Sequence, residues 1–186
     1  MRREPPPKTK APATDRFVEL VTVPEDLLEE IEPKVNAARP WDLDRQFDAC
    51  FEAGGMRKSM YSRGGRAMAA FRKVLEEHTE KSWRFLTVGA AMLTPLKVRN
   101  RERALRRAVR ELGHRRLVVG AAVETVTKRY SKAEIDQWLK EDPGYLGNEL
   151  TTHLIEGEFA ALFVNLRETL RYAKLRGHGL LVRSWE

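Results

Sequence analysis

A single cysteine, Cys50, stands in the 186 residues, so no internal disulfide framework is possible, and a reducing cytoplasm is the expected compartment. Nowhere does the chain approach the ~18 to 20 consecutive apolar residues that would span a bilayer. The first residues, Met1-Arg-Arg-Glu-Pro-Pro-Pro, lack the apolar stretch of a signal peptide. The four histidines (His78, His114, His153, His178) lie far apart, without a second His or a Cys three or four positions away, so no metal site is expected. Gly-x-Ser-x-Gly, Gly-x-x-x-x-Gly-Lys-Ser/Thr and Gly-x-Gly-x-x-Gly are all missing, which removes the usual nucleophile-elbow, phosphate-loop and dinucleotide signatures. The expectation is a protein without catalytic function, metal or cofactor.

What the chain does carry is unevenly distributed charge. Its formal net charge of +7 hides four blocks. Residues 1–14 have a net +3, residues 15–56 a net −7, residues 57–130 a net +13, and residues 131–186 a net −2. A basic central third between acidic flanks suits a polyanionic partner. The proline- and lysine-containing stretch 1–14 reads as a disordered basic tail, because it holds no apolar periodicity from which to build a core. Residues 15–186 then read as one helical nucleic-acid-binding domain.

Ala, Leu, Arg, Glu and Lys dominate, and β-branched residues are thin, so the expected class is all-α: a single helical bundle of about six or seven helices. Phe17 to Val23 alternates too loosely to be assigned as a strand. Thr22 and Glu25 have capping-box spacing for a helix carrying Leu27, Leu28 and Ile31, which Pro33 should end. A second helix covers Asp42 to Glu52, burying Leu43, Phe47 and Cys50 or Phe51, with Gly54-Gly55 as its stop. Residues 56–65, bounded by glycine pairs, read as a loop or frayed helix holding Arg57, Lys58, Tyr61 and Arg63, with Arg66 opening the next helix. Ser82 is a candidate cap for a helix with Trp83, Leu86, Ala90 and Leu93 on one side, ending at Pro95. Residues 117–127 favour helix over strand. Ser131 and Glu134 suggest another capped helix, and the longest helix should run from about Glu149 to Arg176, with Leu150, Leu154, Leu162, Leu166, Leu170 and Ala173 buried.

The helix from about Leu96 to Leu112 is where geometry becomes specific. At about 100° per residue, Leu105, Ala108, Val109 and Leu112 share one stripe. Arg99, Arg103, Arg106, Arg107 and Arg110 share an arc of roughly 100° opposite it, spread over about 16 Å of axis. The planar guanidinium suits bidentate phosphate contact. The nucleic-acid-binding set is therefore these five arginines, extended by Arg57, Lys58, Arg63 and Arg66, with Tyr61 placed to stack on a base.

The leading expectation is a subunit of a nucleoprotein complex that holds the backbone of RNA or single-stranded DNA, alongside other protein subunits or further copies of itself. Small helical subunits of RNA-guided, CRISPR-type effectors are objects of this size and charge, though no residue pattern here ties the chain to them. One alternative is a helix-turn-helix DNA-binding regulator or plasmid-maintenance protein built on Ser131–Leu139, the Asp142-Pro143-Gly144 turn and the helix after it. Another is a protein–protein adaptor that docks an acidic partner on the arginine face. The reading that competes with phosphate binding is that an acidic flank, Glu25–Glu32 or Asp42–Glu52, pairs with the arginines internally.

Overall fold

A computed structural model describes residues 16–35, 38–62, 66–87, 89–113, 117 and 158–185. It corrects the all-α expectation. Four strands, β1 (Arg16–Val23), β2 (Arg57–Ser62), β3 (Ala90–Leu93) and β4 (Gly179–Trp185), form one sheet in the order β2-β1-β4-β3. Every neighbouring pair is antiparallel. Around the sheet lie α1 (Leu28–Val35), α2 (Asp44–Glu52), α3 (Arg66–Thr79), α4 (Pro95–Leu112) and α5 (Glu158–Arg176), so the fold is mixed α/β rather than a helical bundle.

The central strands explain the error. Alternate residues of β1 enter two different cores. Val18 and Leu20 join Met60, Leu180 and Val182 against α3, α4 and α5. Val21 and Val23 join Leu181 against Ile31, Val35, Phe47 and Cys50 of α1 and α2. A strand covered on both faces reads as a continuous apolar run, so the period-2 signal vanishes. Leu180, Leu181 and Val182 of β4 are completely buried for the same reason. The 56–65 segment, expected to be a loop or frayed helix, supplies the edge strand β2 instead. Its register pairs Tyr61 with Phe17 and Met60 with Val18.

Several local expectations also change. Thr22 does not cap α1: its hydroxyl accepts a hydrogen bond from the Met56 backbone N–H at 2.9 Å, tying β1 to the start of β2. Pro33 lies inside α1 and does not end it. The helix expected after Ser82 is a 3-10 turn, Arg84–Leu86, followed by β3. Pro95 opens α4 rather than closing the segment before it, where its missing N–H costs nothing. Gly113 (φ +80°) and Gly177 (φ +70°) end α4 and α5 in backbone conformations that favour glycine. The helix expected over 117–127 falls outside the described residues except for the buried Leu117, as does the beginning of the long last helix before Glu158. Among the described residues, no helix is long and apolar enough to cross a membrane.

Candidate nucleic-acid interface

α4 is held by Val98, Leu105 and Ala108, all buried in the larger core, with Val109 and Leu112 packed at its edge. That stripe turns the opposite side outward, and Arg99, Arg103, Arg106, Arg107 and Arg110 are all exposed. Two of the five have carboxylate partners on their own helix. Arg107 meets Glu111 at 2.8 Å, which holds the guanidinium pKa above its usual value, and Arg106 lies 3.8 Å from Glu102. Arg99, Arg103 and Arg110 have no ion pair among the described residues.

The neighbouring helices divide this face into two grooves. On one side, the C-terminal end of α3 contributes Glu77, His78 and Glu80 to a hollow of about 500 Å³ that also holds Lys81, Arg103, Arg107 and Glu111. Its charges nearly cancel. On the other side, α4 and α5 enclose about 460 Å³ lined by Arg106, Arg110, Arg167, Arg171 and Lys174 above Leu105, Val109 and Leu170. Among the described residues, the one carboxylate there is Glu102, which is buried and 2.7 Å from Lys174. Arg110, Arg167 and Arg171 have no carboxylate partner among the described residues.

Arg167, Arg171 and Lys174 escaped the sequence reading because residues 131–186 are net acidic as a block. The signal was nevertheless present. Leu162, Leu166, Leu170 and Ala173 are buried, and cations at i, i+4 and i+7 share a side of a helix away from that stripe.

The remaining residues of the expected set are placed differently. Arg57 is turned inward: its guanidinium bonds Glu19 on β1 and reaches Asp48 on α2 at 3.0 Å. Glu19 also accepts from Arg183 on β4, at 2.8 and 2.6 Å, and Arg183 bridges onward to Asp44 on α2. The Arg183 guanidinium lies 4.4 Å from the Phe47 ring centroid, and that of Arg57 lies 5.7 Å from it. The acidic stretch Asp42–Glu52 thus does pair with arginines internally, but with Arg57 and Arg183 rather than with the α4 face. Lys58 lies on the other side of β2 and pairs with Glu168 of α5 at 3.1 Å. Tyr61 is on the strand rather than in a loop, 42% exposed, with its ring 5.0 Å from that of Phe17. Arg63 lies outside the described residues, and Arg66 is the first residue of α3.

The chain matches no family model, no curated protein and no solved structure. Among the described residues, no group of three or more His, Cys, Asp or Glu is placed to hold a metal ion. Cys50 is fully buried, and burial pushes its thiol pKa up to about 12, leaving it an inert core side chain. The segment proposed for helix-turn-helix readout, from Ser131 onward, lies outside the described residues up to Glu158.

Proposed function

We propose that this chain is a non-catalytic binding subunit of a nucleoprotein assembly and holds a nucleic-acid backbone along the α4–α5 groove. The observation that carries the reading is the charge imbalance of that groove. Among the described residues, Arg106, Arg110, Arg167, Arg171 and Lys174 face one carboxylate, Glu102, which is already bonded to Lys174. Converging cations without counter-charges raise one another's electrostatic energy, and a phosphate relieves that repulsion. The apolar strip beneath them lowers the local dielectric and strengthens each contact. Two helices side by side present a linear track, which suits a chain of phosphates better than a compact acidic patch on a protein.

The test replaces Arg110, Arg167 and Arg171 together with Gln, which remains a good helix former on an exposed face. Binding of two unrelated oligonucleotides is measured by fluorescence anisotropy over a range of salt. The variant should lose affinity for both by similar factors, because phosphate contacts position a ligand without reading its bases. The logarithmic salt slope should fall in magnitude by roughly 2 to 3, at about 0.7 to 0.9 per lost phosphate contact. An unchanged slope in a folded variant would dismiss the groove as the binding site.

A further inference from the structure

On the face of the sheet opposite α4 and α5, a row of aromatic side chains lies beyond α1 and α2. α1 and α2 cover Val21, Val23 and Leu181, and the Glu19–Arg183 pair marks the edge of that core. Beyond it, Tyr61, Phe17 and Trp185 sit directly opposite one another on three adjacent strands. Their rings form a row: Tyr61 to Phe17 at 5.0 Å, and Phe17 to Trp185 at 5.8 Å and 14° from parallel. Trp185 also lines a slot of about 180 Å³ with Trp41, Pro40, Asp44 and Arg183. Trp41 is 61% exposed.

We infer that this slot takes an unstacked nucleobase against Trp41 and Trp185, so that the chain binds single-stranded nucleic acid in preference to duplex. The inference rests on the proposal that the partner is a nucleic acid, and adds a second contact region that selects its strandedness. Three features favour a base over an aliphatic or acidic protein side chain. Trp41, which lines the slot and is mostly exposed, offers a flat π-face, which every base can stack upon regardless of sequence, and Trp185, with the Arg183 guanidinium 5.3 Å from its ring centroid, walls the other side. The slot has a carboxylate wall: one Asp44 oxygen is held by Arg183, and the other has no partner among the described residues. It can accept from a ring or amino N–H on a base edge, whereas an aliphatic group would desolvate it and an acidic one would be repelled. Finally, the Arg39 guanidinium lies 5.9 Å from the Trp41 ring centroid without a carboxylate partner among the described residues, which places a cation for the phosphate of a base held there. In a duplex the faces of internal bases are occupied by their neighbours, so only a single strand can fill the slot.

The experiment compares three probes at one ionic strength: a mixed-sequence single strand, the same strand with abasic sugars throughout, and the same strand annealed to its complement. The wild-type protein should bind the base-bearing strand about fivefold to a hundredfold tighter than the abasic one, the range for one base stacked on an aromatic ring. Trp41→Ala should abolish that preference and leave abasic binding unchanged, and Trp41→Phe, which keeps a π-face, should restore much of it. Because Trp41 is mostly exposed in a 3-10 turn, neither change threatens the core. Equal affinity of the wild type for base-bearing and abasic strands overturns the inference. So does a Trp41→Ala variant that loses both equally. These outcomes are separable from failure of the groove, which is read from the salt slope of the arginine variant on the abasic strand.

Discussion

Replacing Glu19 with Gln should cost this protein more than its modest change in shape suggests. Glu19 is 6% exposed and Arg183 is 7% exposed, in the interior between β1, β4 and α2. One carboxylate there accepts from two guanidinium groups, Arg57 through Oε1 and Arg183 through Oε2. Gln keeps one acceptor, removes the charge, and turns an N–H donor toward an arginine that has only donors to offer. Removing one partner of a buried pair costs about 3 to 5 kcal/mol, because the remaining charge stays desolvated. Arg183 would retain Asp44, but that carboxylate is 69% exposed and solvent-screened, so the loss should lie near the lower end. At about 2 to 4 °C per kcal/mol for a chain of this size, the thermal midpoint should fall by roughly 6 to 12 °C. Urea unfolding monitored by circular dichroism measures the free energy directly. Arg183→Met in the Glu19→Gln background should cost less than the two single losses combined, since the second change removes a buried charge that the first deprived of Glu19. A Glu19→Gln loss below about 1 kcal/mol would mean that water reaches the pair, and the reasoning from burial would be refuted.

Two further perturbations probe the same framework. A Cβ added at Gly55 would lie 2.3 Å from the Thr22 carbonyl oxygen and 2.6 Å from that of Cys50, both backbone atoms, so Gly55→Ala should disrupt the β1–α2 junction and lower the unfolding midpoint clearly. A midpoint equal to wild type would show that the junction is slack. His178, beside Thr22 at 3.3 Å, has its pKa lowered, first by burial and then by Arg176, so the folded state disfavours its proton. Because the folded pKa lies below the unfolded one, this contribution to stability is present above the ordinary histidine range, about pH 6.5, and declines as pH falls toward the folded value. His178→Gln should remove that part of the pH dependence, as read from urea midpoints between neutral and mildly acidic pH.

The helices were the legible part of this sequence, and the reason is geometric. α4 carries its buried Val98, Leu105 and Ala108 on one side and its arginines on the other, so one periodicity fixes both packing and display. The sheet left no such trace. β1 and β4 are sandwiched between two helical layers and lose their alternation, while β3 has only four residues, Ala90–Leu93, too few to establish a period. β2 is an edge strand with the polar sequence RKSMYS, and the features that made it resemble a basic loop are those that blunt an exposed edge.

The same distinction explains what was visible of the candidate surfaces. A cation arc on one helix follows from spacing within that helix, so Arg99 to Arg110 could be placed from the sequence. A groove is a property of two elements. The partners of Arg106 and Arg110 across it, Arg167, Arg171 and Lys174, lie more than fifty residues away in a block whose net charge is negative. The aromatic row demands still more, since Tyr61, Phe17 and Trp185 meet only through the register of three strands. Arg57 shows the converse: it looks like part of the basic track because its neighbours in sequence are cations, but pairing with β1 brings Glu19 to it, and the packing of α2 brings Asp48. Each arginine of this highly charged chain is thus assigned by the carboxylates the fold delivers to it. Arg57 and Arg183 receive them and serve the core. Arg110, Arg167 and Arg171 receive none among the described residues, and that unmet charge marks the α4–α5 groove as the surface to test against a polyanion.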